Sequence, residues 1–373
     1  MPRLRIAIVA PTFRYVGGQS VQAELLLRSW CDDVDVETTF VAIDPQLPNW
    51  VAHAQEIRGL RTLLRHPIYL TSLWRAFRDV DIAHIFGSSY WSFLIAATPA
   101  WLVAKLRGCK TLLNYRSGDA RDHLSRFPSA VLVMSRADEI VVPTRYLVDV
   151  LGEFGLRAVV VPNLVDLSQF RYRSRRPLRP RLICPRGFSR YYKVDVVVRA
   201  FAEVKSMYPE ATLDLVGGGP LEGNLKNLVS DLKLDDVTFT GVVSRHRIGE
   251  VYDRADIFIN ASCVDAMPVS IIEAFRAGTP VVTTSPDAMR YLIEHERTGL
   301  LSAVGDEKAL AANVIRLLRE GDLAATIVEN AYRESTKYEW NILRNMWLKL
   351  YRQIANSPVE HSTREQNSTA SMQ

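Results

Sequence analysis

Short runs of apolar, β-branched residues alternate along the chain with longer stretches in which apolar positions recur every three or four residues. The short runs predict strands at Arg5–Ala10, Val36–Ala42, Ile82–Phe86, Lys110–Tyr115, Glu139–Val142 and Ala158–Val161. The helical spacing between them predicts helices at Ser20–Trp30, Arg58–Phe77, Trp91–Lys105 and Tyr146–Leu151. At Arg171–Arg181 the pattern stops: RYRSRRPLRPR holds six arginines and two prolines with almost no apolar content, which predicts a solvated interdomain linker. The alternation then restarts. Strands are expected at Leu182–Pro185, Thr212–Val216, Val237–Thr240, Ile257–Asn260 and Val281–Thr284. Helices are expected at Val194–Met207, Leu221–Leu232, Ile248–Arg254, Ser270–Ala277 and Glu307–Leu318, with a last amphipathic segment at Tyr338–Ile354. From Ala355 onward the chain is polar and expected to be disordered. Alternating strands and helices on both sides of a linker predict an α/β protein: two Rossmann-like, doubly wound parallel-sheet domains facing across a cleft. Tyr90–Val103, YWSFLIAATPAWLV, is too short for a membrane span and is interrupted by Pro99; it predicts a buried helix.

Composition leaves this picture intact. A chain of 373 residues that is 48% hydrophobic and 23% charged is ordinary for a globular protein of two domains. The net charge of +5 weakly favours an anionic partner such as a nucleotide or a lipid surface. Cys31, Cys109, Cys184 and Cys263 are scattered without metal-site spacing, so reduced thiols and a cytoplasmic location are expected. The N-terminus enters a strand at once, without a secretory pattern.

The candidate chemistry is concentrated in Asp256–Leu301. Strand Ile257–Asn260 leads into a loop with Asp265; a helix then opens near Pro268 and Ser270 with Glu273 in its first turns. This unit puts two carboxylates and a helix N-terminus at the carboxyl end of a parallel strand, where open sheets bind ligands. The helix end favours an anion and the carboxylates favour hydroxyls, a pairing that a nucleotide-sugar supplies. Loops Arg186–Lys193, Gly217–Pro220 and Gly241–Val243 leave strands on the same edge. Arg186 and Lys193 there suit the charge that develops on a diphosphate leaving group. Gly17 and Gly18 follow the first strand and precede a helix, where backbone amides can approach a phosphate. Asp265 and Glu273 could also be read as a glycosidase pair, but the neighbouring cations fit a nucleotide site better. Asp33-Val34-Asp35 is expected to be a solvated turn rather than a metal-binding DxD. Arg58–Arg78 carries five arginines among leucines and Trp74, a face suited to anionic lipid or to an ordinary surface helix. Nothing in the arginine-rich linker accompanies it as a nucleic-acid platform, so no nucleic-acid partner is expected.

These features together resemble a retaining glycosyltransferase of family 4 with the GT-B fold. The resemblance rests on the Gly17-Gly18 loop, RADEIVVPTRYL and VVVPNLVDLSQF within Arg136–Phe170, Arg186, Lys193, LVGGGP, FTGVV, ADIFINAS, DAMPVSIIEAFRAGTPVV, TGLL and YEWNILRNMWLKLY. It implies an acceptor-side domain over 1–165, a linker over 166–181, a donor domain over 182–337, a helix over 338–356 crossing back to the first domain, and a disordered tail over 357–373. It also implies that the family's Glu-x7-Glu falls on Asp265 and Glu273, with Glu273 on the donor ribose and Asp265 facing the donor sugar. Arg186 and Lys193 would bind the diphosphate, Gly18 would reach it from the other domain, and Gly241 and Val242 would border the base. Gly17, Gly218, Met267, Pro268 and Val269 complete the implied nucleotide-binding set. No metal or further cofactor is implied; the partners are a nucleotide-sugar donor and a glycan or lipid-linked acceptor, with anionic membrane through Arg58–Arg78. The chain departs from the family pattern in four places. Asp265 is one methylene short, Asp287 and Ala288 replace a glycine pair, Tyr291 stands for a glutamate, and Asn114–Gly118 lacks a histidine. A nucleotide-sugar-binding subunit without turnover, or an epimerase or phosphorylase of the same fold, are the alternative readings.

Overall fold

The computed structural model describes residues 3–13, 18–47 and 58–357, with the side chains of 58–61 excepted. Gly17, the tail beyond 357 and the side chains of Arg58 and Arg61 lie outside the described residues. Two six-stranded, all-parallel sheets form the frame. The first contains β1 (Leu4–Ala10), β2 (Val36–Ala42), β3 (Ile82–Gly87), β4 (Lys110–Tyr115), β5 (Glu139–Val142) and β6 (Val159–Val160) in the order β2-β1-β3-β4-β5-β6. The second contains β7 (Arg181–Pro185), β8 (Thr212–Val216), β9 (Val237–Gly241), β10 (Ile257–Asn260), β11 (Val281–Thr284) and β12 (Leu300–Ser302) in the order β12-β11-β10-β7-β8-β9. The strand order reverses between β1 and β3 in one sheet and between β7 and β10 in the other, which makes these the crevices where doubly wound sheets take ligands.

Both faces of each sheet are covered, which is why the strands read as unbroken apolar runs. Alternation along β1 sends Ile6 and Ile8 into one layer and Ala7 and Val9 into the other. The Ala7 layer is closed by helices Arg58–Ala76, Thr98–Leu106, Pro128–Ser135 and Arg145–Gly152. The Ile6 layer is closed by helix Gly18–Ser29 and, from the far end of the chain, by helix Trp340–Asn356. Trp347 and Tyr351 of that last helix are fully buried beside Trp30 and His84 of the first domain. No described helix is long and apolar enough to cross a membrane.

Three expectations change. The linker is solvated only in part: Arg171, Arg176, Arg179 and Arg181 are exposed, but Arg175 is buried and donates to Tyr252 O, Ala255 O and Ala277 O, so one guanidinium ties together the ends of helices Ile248–Arg254 and Val269–Ala277. Carbonyls at helix C-termini carry partial negative charge, which a cation satisfies well. Arg173 pairs with Asp256 at 2.6 Å, so the stretch that looked like a spacer is fastened to the second domain. The Asp33-Val34-Asp35 turn exposes Val34, but its aspartates are not left to solvent: Arg344 holds both at 2.7 Å and Arg352 holds Asp35 from helix Trp340–Asn356. Tyr90–Val103 is not a buried helix. It continues to Leu106, passes through a π-helical stretch at Phe93–Ala97, and leaves Trp91, Ile95, Leu102 and Leu106 exposed on its outer side. Hydropathy alone cannot separate a buried helix from one with an uncovered apolar face. Helices Ala120–Arg126, Pro128–Ser135 and Gly321–Ser335 and the three-residue strand β12 were not anticipated; β12 is too short to show a period of two.

Trp347→Ala would remove the largest side chain from the layer that joins the C-terminal helix to the first sheet. The expected loss is about 3–5 kcal/mol in unfolding free energy, read from the denaturant midpoint. A shift within error would mean that this helix is only laid on the surface.

Candidate active site

The site starts from the switch point between β7 and β10. Residues leaving β7 must turn sharply before helix Val194–Met207, and Lys193 makes that turn in the left-handed region (φ 47°, ψ 44°). A non-glycine residue there is strained, and strain of this kind gathers at functional sites. The Lys193 ammonium has no hydrogen-bond or ion-pair partner among the described residues. Arg186, buried at the end of the same strand, donates from Nε to Asn260 Oδ1 at 3.0 Å and from Nη2 to Asp265 Oδ2 at 2.9 Å. Tyr192, next to Lys193, lies under the Arg186 guanidinium at 5.0 Å. Cys263 N bonds Tyr191 O at 2.9 Å, so the loops after β7 and β10 form one wall.

The glycine-rich loop after β8 packs behind this wall because it can come so close. A Cβ on Gly217 would sit 2.2 Å from Arg186 O, and one on Gly219 would meet Phe188 O at 2.6 Å. Both residues lie at positive φ, so only glycine fits without strain. Gly218 O accepts from Phe188 N, and Gly218 faces Val242, whose side chain stands exposed at the tip of the loop after Gly241.

Glu273 lies in the first turns of helix Val269–Ala277 and accepts a hydrogen bond from Tyr252 OH at 2.9 Å; the same hydroxyl also reaches Ser270 O. Burial pushes the Glu273 carboxyl up to about 7, against the opposing pull of Tyr252, Arg186 and Arg245. Burial also raises Asp265 above the ordinary carboxylate value, although Arg186 and the amides of Ala266 and Met267 hold it back. An acid raised by burial in a crevice, beside fixed cations, is the pattern of a working site rather than of a surface ion pair.

The first domain closes the crevice from the opposite side. Gly118, beyond β4, approaches the donor-side loop so closely that a Cβ would meet Val264 Cγ1 at 2.9 Å. Asn163 donates to Met267 O at 2.9 Å, Arg245 pairs with Glu24 at 3.4 Å, and Tyr291 OH donates to Asp149 at 2.7 Å. Arg186, Lys193, Asp265, Glu273, Gly218, Gly241, Val242 and Met267–Val269 thus stand on the loops and the helix start at one sheet edge, and Gly18 opens helix Gly18–Ser29 on the other domain. Tyr252, Asn260, Arg245 and Asn163 escaped the sequence reading. Their roles come from partners more than fifteen residues away, which no local pattern carries.

Two family descriptions match the chain. Residues 16–169 match "Glycosyltransferase Family 4" and residues 173–334 match "Glycosyl transferases group 1". The chain belongs to glycosyltransferase family 4. Among relatives, it is 27% identical over 298 residues to an exopolysaccharide phosphotransferase of Streptomyces coelicolor, covering 75% of this chain and 30% of that protein. It is 22% identical over 343 residues to the alpha-monoglucosyldiacylglycerol synthase of Acholeplasma laidlawii, covering 82% and 83%. The chain spans about a third of the length of two of the relatives it matches. The fold is that of Anabaena HepE, solved in complex with UDP and glucose (TM-score 0.74, 15% identity, 94% of this chain and 100% of the other). It is also that of the sucrose-phosphate synthase of Thermosynechococcus elongatus (TM-score 0.74, 20% identity, 94% and 99%). The family architecture therefore holds over both sheets.

Glu273 generates a pH signature. Its folded carboxyl titrates near 7 against an ordinary value of 4.5, so the unfolded chain ionises first as pH rises. This residue therefore lowers stability progressively between those values, by an amount on the order of 3 kcal/mol. Glu273→Gln removes the penalty, so its stability relative to the parent rises from pH 5 to pH 8 in paired chemical melts. Parallel pH profiles for the two proteins would show that Glu273 is not held in its protonated form.

Proposed function

We propose that this chain transfers a sugar from a nucleoside-diphosphate-sugar to a glycan, lipid-linked or small-molecule acceptor, with retention of anomeric configuration. The observation that carries this reading is the company kept at the β7/β10 switch point: an unpaired ammonium on a strained turn, a buried arginine, and a carboxyl raised by burial. A diphosphate answers the first two groups and ribose hydroxyls answer the third. The complex of Anabaena HepE with UDP and glucose supports a nucleotide and a sugar in the corresponding cleft.

Lys193 and Arg186 hold the diphosphate and stabilise the charge that grows as the bond to the sugar breaks, a task for preorganised cations. Arg186 is partly neutralised by Asp265, which fixes its direction and leaves its other donors for phosphate. Glu273 accepts the ribose hydroxyls, Asp265 borders the donor sugar, and Gly18 approaches the phosphates from the first domain. The acceptor hydroxyl attacks the face from which the diphosphate leaves. Its proton passes to the departing phosphate oxygen, so atoms and charge balance without another base.

Incubation with a panel of nucleotide-sugars and acceptors is expected to release nucleoside diphosphate, with NMR showing the donor anomeric configuration kept in the product. Lys193→Ala should lower kcat/KM by about 10²–10³-fold, and Glu273→Gln should weaken donor binding by roughly tenfold or more. Binding without release across the panel would favour a nucleotide-sugar-binding subunit. Wild-type donor affinity in Glu273→Gln would remove that residue from the site.

The membrane partner has its own supporting observation. Leu63, Leu70 and Trp74 on helix Arg58–Ala76 are exposed, as are Trp91, Leu102 and Leu106 on the adjacent helical layer. Arg107 bridges the two helices, donating to Trp74 O and lying 4.2 Å over the Trp74 ring. An apolar face with tryptophans and a basic rim suits an anionic leaflet, with the aromatic rings at headgroup level. Co-sedimentation with phosphatidylglycerol vesicles should be salt-sensitive and should fall several-fold in the double variant Leu102→Glu/Leu106→Glu. Failure to pellet at low salt would reject membrane docking, and a concentration-dependent dimer would assign the face to a second copy.

A further inference from the structure

The strongest unassigned feature is a half-buried guanidinium on the first-domain wall of the cleft. Arg116 directly follows β4. Its Nε donates to Asn114 Oδ1 at 2.8 Å, its Nη1 donates to Asn163 Oδ1, and its guanidinium lies 5.4 Å over the Phe86 ring. Every one of these partners is neutral. Asn114 turns its amide nitrogen to His84 Nε2 at 2.8 Å because its oxygen is taken by Arg116. His84 is therefore unprotonated at Nε2 and bonds Tyr351 OH through Nδ1 at 2.8 Å. Burial and the nearby Arg116 both push the His84 imidazole well below its usual range, so it too stays uncharged. No carboxylate pairs with Arg116 among the described residues, and burial alone pulls its guanidinium down to about 9. The terminal Nη2 donates to no described residue.

A half-buried cation fixed by neutral partners, with one edge open, is placed to be met by a group of opposite sign. No described residue of opposite sign does so, although the position is two residues from Gly118, which touches the Asp265 loop, and one hydrogen bond from Asn163, which holds Met267 O. The cations proposed for the diphosphate, Arg186 and Lys193, belong to the opposite domain. We propose that Arg116 is the recognition point for a second negative charge, a carboxylate or phosphate carried by the transferred sugar or by the acceptor. A planar guanidinium held by two asparagines is preorganised to grip such a group with its free edge. This rests on the transferase reading only for where the anion comes from; the binding site itself is tested without turnover.

The test is anion binding by the full chain at constant ionic strength, followed by calorimetry and by the melting temperature. Probes are glucose, glucuronate, glucose 6-phosphate and pyrophosphate, each with the parent, Arg116→Gln, Arg116→Lys and Lys193→Ala. Glucuronate or glucose 6-phosphate should bind at least tenfold more tightly than glucose, including in saturating pyrophosphate, and which of the two binds identifies carboxylate or phosphate. Arg116→Gln should abolish that preference and leave pyrophosphate affinity within twofold. Arg116→Lys keeps the charge without the fork and should retain part of it. No preference for a charged sugar in the parent overturns the proposal, as does an unchanged preference in Arg116→Gln. Loss of pyrophosphate binding in Arg116→Gln would assign the residue to the diphosphate and also reject the proposal. Failure of the nucleotide-sugar reading would show separately, as pyrophosphate affinity unmoved by Lys193→Ala.

Discussion

Helix Trp340–Asn356 leaves the second domain and is seated in the core of the first, and the rest of the structure depends on that seating. Trp347 and Tyr351 fill the layer under β1 and β3, and Arg344 and Arg352 grip the acidic turn Asp33–Asp35. The apolar contact supplies most of the free energy, because fully buried aromatic surface outweighs partly exposed ion pairs. The ion pairs set where along the sheet the helix stops. With the far end of the chain pinned in this way, the two carboxyl-end edges face one another and the loops after β4 and β10 touch.

The contacts across the cleft differ in kind, and the difference matters for motion. Asn163–Met267 and Gly118–Val264 are close and sheltered, whereas Tyr291–Asp149 and Arg121–Asp287 lie on exposed surface. Exposed polar pairs contribute little and exchange readily with water. The hinge side of the cleft is thus held more firmly than its rim, which suits a site that admits a large ligand. Asp287 and Tyr291, where the chain leaves its family's pattern, both contribute to this rim. Through Asp149, Tyr291 ties this loop to helix Arg145–Gly152.

Charge is distributed in the cleft with the opposite logic to that of the surface. Outside, many cations meet acids at short range, as Arg121 meets Glu153 and Arg316 meets Glu320. Inside, Lys193 and Arg116 have no acid partner among the described residues, and the Glu273 carboxyl is raised rather than lowered. A protein that had only to be stable would pair or remove such groups. Their retention is the physical basis for reading the cleft as a place completed by an anionic, hydroxyl-bearing ligand.

Much of the frame was legible in the chain. Strands β4, β5, β10 and β11 lie where their apolar runs place them, since strands buried on both faces advertise themselves without a partner; β2 and β8, partly exposed, lie at their expected bounds too. The loops bearing Arg186, Lys193 and Asp265 and the helix bearing Glu273 share an edge because parallel strands all point the same way. Tertiary structure decided whatever depended on a distant partner. Arg175 reads as a solvated linker cation until two helix ends converge on it, Asp33 and Asp35 read as a turn until Arg344 arrives from the other end of the chain, and YWSFLIAATPAWLV reads as core until its outer side is left uncovered. Periodicity records which side of an element is apolar; only the assembled fold determines what, if anything, that side meets.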